Sequence, residues 1–181
     1  MIALRTLISA VLAALALWLA GCASYSGSSL TPGAAAQAEV RQLMGEPAAI
    51  HPGGSGVSAA GAGESWEYPR GPLGRHTYMV RFDARGTVTS IDQVLTVAQT
   101  AKIAWGQATR DDVRKLLGRP AGVYPVRSGG ELWDYAALAT DGHPRKIRIV
   151  VSFDTAGRAV SGGESYDWEE FNPNAGSGST Q

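Results

Sequence analysis

The sequence predicts an α+β fold in two tandem copies of one unit, an amphipathic helix followed by antiparallel strands. Three observations carry this. Residues 106–120 contain a bounded helix signal that occurs earlier as residues 33–47: Gly33, Val40, Leu43, Met44, Gly45 and Pro47 stand in register with Gly106, Val113, Leu116, Leu117, Gly118 and Pro120. Each copy is followed by a Trp-x-Tyr segment, Trp66 and Tyr68 in one and Trp133 and Tyr135 in the other. Each then has an alternating apolar run ending in Phe-Asp-x-x-Gly. These runs are Tyr78, Val80 and Phe82 before Asp83 and Gly86, and Ile147, Ile149, Val151 and Phe153 before Asp154 and Gly157.

Residues 1–21 are expected to be a lipoprotein signal peptide. Arg5 is the only charge, residues 7–20 form an apolar run, and Leu19-Ala20-Gly21-Cys22 closes it. Small residues before the cut and a thiol after it are what a lipoprotein signal peptidase requires, because the sulfur takes a diacylglyceryl group before cleavage. The run is short for a bilayer span of about 20 residues, and leader segments are kept out of the fold. Cys22 is the only cysteine, so lipidation, with an N-acyl group such as palmitate added afterwards, leaves no thiol for disulfides. Residues 22–29 are Ser- and Gly-rich and read as a tether. Its extended reach is about 25 Å. Ala23 rather than Asp after the cysteine resembles the signal for export to the outer membrane, on its periplasmic face.

The remaining elements follow in order. In the first unit, residues 30–94, Val40, Leu43 and Met44 give a helix face whose capping position holds Ala36, where the second unit has Thr109. The uncapped helix is expected to be weaker by roughly 0.5–2 kcal/mol. Residues 48–51 read as a strand and residues 52–63 as a mobile Gly/Ala/Ser loop without the glycine spacing of a nucleotide cradle. Residues 64–68, 77–82 and 87–94 read as strands, and Asp83 to Gly86 suits a type I turn.

The second unit, residues 95–166, opens with residues 95–104, expected to form a helix before Gly106. Thr109 and Asp112 then make a capping box, Asp111 and Asp112 suit the amino end of the helix dipole, and Arg114 and Lys115 suit the carboxyl end. Gly118 and Pro120 stop the helix. Residues 167–181 read as an acidic, aromatic segment followed by a disordered Gly/Ser tail.

The pattern Gly-x6-Val-x2-Leu-x-Gly-x-Pro, Trp-x-Tyr and Phe-Asp-x-x-Gly resembles the BamE (SmpA/OmlA) family of envelope lipoproteins, here in tandem. The resemblance implies, for each half, a helical pair packed on a small antiparallel sheet. The doubled arrangement is similar to that of the β-lactamase inhibitor protein. Family members of the barrel assembly machine carry one copy of the domain, so their partner contacts do not transfer to particular residues here.

The balance of 16 Lys and Arg against 16 Asp and Glu gives no strong field and argues against nucleic acid. His51, His76 and His143 lack metal-ligand neighbours, no serine sits in G-x-S-x-G, and Asp83 and Asp154 are explained by turns, so no enzyme, metal or cofactor is expected. Trp66, Tyr68, Trp133 and Tyr135 are expected in the cores rather than on a ligand platform.

Trp105, Trp168 and Phe171 are candidate partner contacts. For Trp105 the alternative is packing over the turn, and for the other two it is covering an open sheet face. Arg70 and Arg75, with His76, in one hairpin and Arg145, Lys146 and Arg148, with His143, in the other are candidate contacts for an anionic surface, opposed only by Asp141. The alternative is ordinary solvation of hairpin tips. The functions implied are a lipid-anchored scaffold that binds envelope proteins, in outer-membrane assembly or envelope integrity, and, alternatively, an inhibitor-type module of the β-lactamase inhibitor protein kind acting on an envelope or periplasmic enzyme.

Overall fold

A computed structural model describes residues 25–53, 62–139 and 145–166. The expected signal peptide with Cys22, residues 54–61 of the Gly-rich loop, Asp141 and His143, and the segment with Trp168 and Phe171 lie outside the described residues.

The elements run α1 (Gln37–Met44), β1 (Ala49–His51), β2 (Ala62–Arg70), β3 (His76–Asp83), β4 (Val88–Gln93), α2 (Val97–Thr100), α3 (Arg110–Leu117), β5 (Gly122–Pro125), β6 (Glu131–Ala139), β7 (Arg145–Phe153) and β8 (Ala159–Tyr166). They build two four-stranded antiparallel sheets, β1-β2-β3-β4 and β5-β6-β7-β8. The chain is therefore mostly β, with a few short helices, and the expected α+β arrangement of helical pairs on small sheets is wrong.

The physical reason lies in the stretches before α1 and α3. Residues 25–35 form no helix, only turns and irregular backbone, with Gly27 and Gly33 at positive φ and Pro32 between them, and Ala36 makes an isolated antiparallel bridge to Thr87. The segment expected to be helical over residues 95–104 yields only the four residues of α2, and Thr100 Oγ1 donates to the Val97 carbonyl at 2.7 Å. Short polar side chains that bond nearby backbone weaken helix interiors. By contrast β2, β6 and β7 are nine residues each, and their cross-strand ladders dominate the architecture.

The cap difference appears as written in the chain. Thr109 Oγ1 accepts the Asp112 amide, and Asp112 returns a carboxylate to the Thr109 amide at 2.9 Å. Ala36 makes no side-chain cap. The Thr109 hydrogen bonds hold the Asp112 carboxyl below the usual carboxylate range. Asp83 and Asp154 build their turns alike. Asp83 Oδ1 accepts the amides of Arg85 and Thr87, Asp154 Oδ1 accepts that of Arg158, and each turn closes on a glycine amide.

Each sheet packs one face on its own helix. Leu30, Val40, Met44, Trp66, Tyr68, Val80, Phe82 and Val88 form the first core. Ile103, Val113, Leu117, Trp133, Tyr135, Ile147, Ile149, Val151 and Phe153 are in the second. Leu43 and Leu116 are only partly buried. In each core the tryptophan meets the phenylalanine of the neighbouring strand, with ring centroids 4.7 and 4.6 Å apart. An arginine also lies over each indole, Arg41 over Trp66 and Arg114 over Trp133.

Candidate functional site

Trp105 is placed by backbone on both sides. Its amide donates to the Ile103 carbonyl at 3.0 Å, and the next amide, Gly106, donates to the Ala159 carbonyl at 2.7 Å, pinning the turn to the start of β8. The indole then lies over Gly162, where an added Cβ would sit 2.5 Å from Trp105 Cη2. In the first sheet the position paired with Val80 is Ile91, which packs on the core, whereas the position paired with Val151 is Gly162. Trp105, standing where the first copy has Pro32, fills from the linker the space that β8 leaves empty.

Trp105 nevertheless remains 41% exposed. With Val97, Thr100 and Ala101 on one side and Val150, Gly162, Gly163 and Glu164 on the other, it lines a cleft of about 290 Å³. That is near the lower end for small-molecule pockets, about 300–1,000 Å³, and is closer to the size of a side chain.

Beside the cleft runs the outer edge of β8. Beyond Ala159, residues 160–165 are all exposed, and no described strand pairs with β8 opposite β7. Other edges are blunted in recognised ways. β1 is three residues long and is followed by Pro52, β5 ends at Pro125, and β4 carries Asp92 in an ion pair with Arg81. β8 has no Lys, Arg or Pro, and its centre is Gly162-Gly163.

A second feature joins the halves. Glu67 points away from the first core and is 1% exposed. Its Oε1 accepts the Arg119 amide at 2.9 Å, just past the end of α3, and its Oε2 lies 3.0 Å from His51 Nε2. Gly118 has φ of 83°, and an added Cβ would meet Glu67 Oε1 at 2.9 Å, so both conformation and space require glycine. Burial first, and then the Glu67 charge, push the Tyr135 phenol upward. The equivalent residue of the second Trp-x-Tyr segment, Asp134, is also buried, but its Oδ1 accepts Arg148 Nε at 2.8 Å within its own sheet.

The basic candidates separate accordingly. Arg70 donates to the Met44 and Tyr25 carbonyls and lies over the Tyr68 ring, whose phenol burial pushes to about 12. Arg148 is held by Asp134, and that hydrogen bond raises its pKa further. Arg75 and Lys146 are partly buried, and the Arg145 side chain lies outside the described residues. The structure thus commits Arg70 and Arg148 to internal partners. His51 faces Glu67, and His76 Nδ1 lies 2.8 Å from the Tyr25 hydroxyl.

The repeated anchors, one core per sheet and a tryptophan-lined edge describe the second half closely enough to compare it with known domains. Residues 93–162 match the family model of the outer membrane protein assembly factor BamE domain. No curated protein and no solved structure matches the chain.

The BamE match begins at the last residue of β4 and ends at Gly162, so it contains Trp105, α2, α3 and both members of the Trp105–Gly162 contact. Sequence reasoning singled out Trp105 but missed Gly162, Val97 and Glu67. The visible signal was a glycine pair inside an otherwise alternating strand, which marks close approach by something else.

Proposed function

We propose that this chain is a lipid-anchored protein of the bacterial outer membrane that acts as a non-enzymatic, protein-binding scaffold in outer-membrane protein assembly. The observation that carries the reading is the BamE-domain match over residues 93–162. The Leu19-Ala20-Gly21-Cys22 sequence supports the anchor, with acylation at Cys22 and a short tether facing the periplasm. The residues shared between the two halves support a tandem form in which the first half is a second BamE-like copy.

The test is crosslinking in intact envelopes followed by capture of the lipoprotein. Outer-membrane β-barrel proteins or their assembly factors are expected among the partners, and deletion is expected to lower β-barrel levels in the outer membrane. Capture without any such partner, together with unchanged levels on deletion, refutes the scaffold role. Normal maturation of a Cys22→Ser variant refutes the anchor.

A further inference from the structure

We infer that the open edge of β8 binds an extended segment of a partner protein as a fifth, antiparallel strand, with an aromatic side chain of that segment entering the Trp105 cleft and a basic one facing Glu164. The inference rests on the scaffold reading and names the chemistry of its partner. Strand addition to a sheet edge draws affinity from main-chain hydrogen bonds and specificity from pockets at alternate positions. Both parts are present here. The edge from residue 160 onward is exposed, has no Lys, Arg or Pro, and carries one charged side chain, Glu164, which makes no ion pair among the described residues, whereas Asp92 of β4 is paired with Arg81 and β1 and β5 end beside prolines.

Alternation supplies the specificity. Gly162 and Glu164 pair with Val151 and Ile149, both core-facing, so they share the face of β8 on which α2 and Trp105 lie. Opposite Gly162 an incoming strand meets no side chain from β8, only the cleft walls of Val97, Ala101, Trp105 and Val150. Since the Trp105 indole already covers Gly162, a large ring entering the cleft packs against that indole, which is a favourable aromatic contact. Two residues along, Glu164 is the only ionised residue lining the cleft, and it forms no ion pair among the described residues. In an antiparallel partner the residue opposite Glu164 precedes that opposite Gly162. The recognised pattern is therefore basic-x-aromatic in an otherwise alternating, neutral strand.

The full-length chain in detergent is titrated against a fluorescently labelled peptide, Thr-Val-Thr-Lys-Thr-Phe-Thr-Val, and anisotropy is recorded. Saturable binding is expected. Methylating alternate peptide nitrogens on the edge-facing side should weaken it about tenfold or more, because each lost backbone hydrogen bond counts separately. Glu164→Lys, an exposed substitution that leaves the fold intact, should reverse the preference in favour of the same peptide with Glu in place of Lys.

No binding up to about 1 mM, equal binding of the methylated peptide, or an unchanged charge preference in Glu164→Lys overturns the inference. Binding that appears only after deletion of residues 167–181 overturns it in favour of the chain's own tail. A concentration-dependent dimer dispersed by Glu164→Lys, without peptide binding, overturns it in favour of a second copy. The peptide titration needs no envelope, so its failure is distinct from failure of the envelope capture.

Discussion

Removing the Glu67 carboxylate tests whether one buried side chain fixes the two halves together. Glu67→Ala would leave the Arg119 amide and His51 Nε2 facing the space where two carboxylate oxygens now lie at 2.9 and 3.0 Å. Leaving a buried donor without its acceptor costs about 1–3 kcal/mol. With a urea slope of about 2 kcal/mol/M, the unfolding midpoint should fall by roughly 0.5–1.5 M. Glu67→Gln keeps the shape and one acceptor but replaces the other carboxylate oxygen with an NH2 and removes the charge, and should cost about 1–2 kcal/mol.

Urea unfolding followed by tryptophan fluorescence measures both variants. Hydrogen exchange at the Arg119 amide then separates loss of the seam from general loosening, since local opening exposes only the amides it releases. In Glu67→Gln, exchange at Arg119 should accelerate while amides in the middle of β3 and β7 keep their protection relative to global stability. A loss below about 1 kcal/mol in Glu67→Ala, or unchanged Arg119 exchange in Glu67→Gln, would refute the view that this carboxylate holds the seam.

Arg148→Ala should destabilise the second half by about 3–5 kcal/mol, because it strands the buried Asp134, and the urea midpoint of Arg148→Ala with Asp134→Ala should recover part of that loss. Trp133→Ala should cost about 3–5 kcal/mol in the same assay, as expected for a fully buried ring packed on Phe153. Thr109→Ala should cost about 0.5–2 kcal/mol, whereas Ala36→Thr should recover stability at α1. Because the folded Asp112 carboxyl lies below its ordinary value, its contribution is complete above the unfolded pKa of about 3.9 and is lost as pH falls through the lower folded value. The stability gap between wild type and Asp112→Asn, read from urea midpoints across acid pH, should therefore close at the acid end.

The sequence by itself determined the local signals. Thr109, Asp112 and Gly118 specify α3 because capping hydrogen bonds and a positive-φ stop act within one turn of chain. Asp83 and Asp154 specify their turns for the same reason. Period-two alternation placed Val80, Phe82, Val151 and Phe153 on the core-facing sides, since a strand sends alternate side chains to opposite faces.

The sequence could not set how far each element extends. Leu95 and Ile103 look like helix-face residues, yet they bury themselves from a turn-rich linker around the four residues of α2. Whether an apolar residue reaches the core from a helix or from a turn depends on the sheet it meets, and that sheet outweighs local propensity. The same limit governs the sites. Glu67 and Asp134 occupy equivalent places beside Trp66 and Trp133, but one crosses to Arg119 in the other half and the other stays with Arg148. Only the tertiary structure decided this. A buried carboxylate must find a donor, and the donors within reach are set by contacts between residues far apart in the chain.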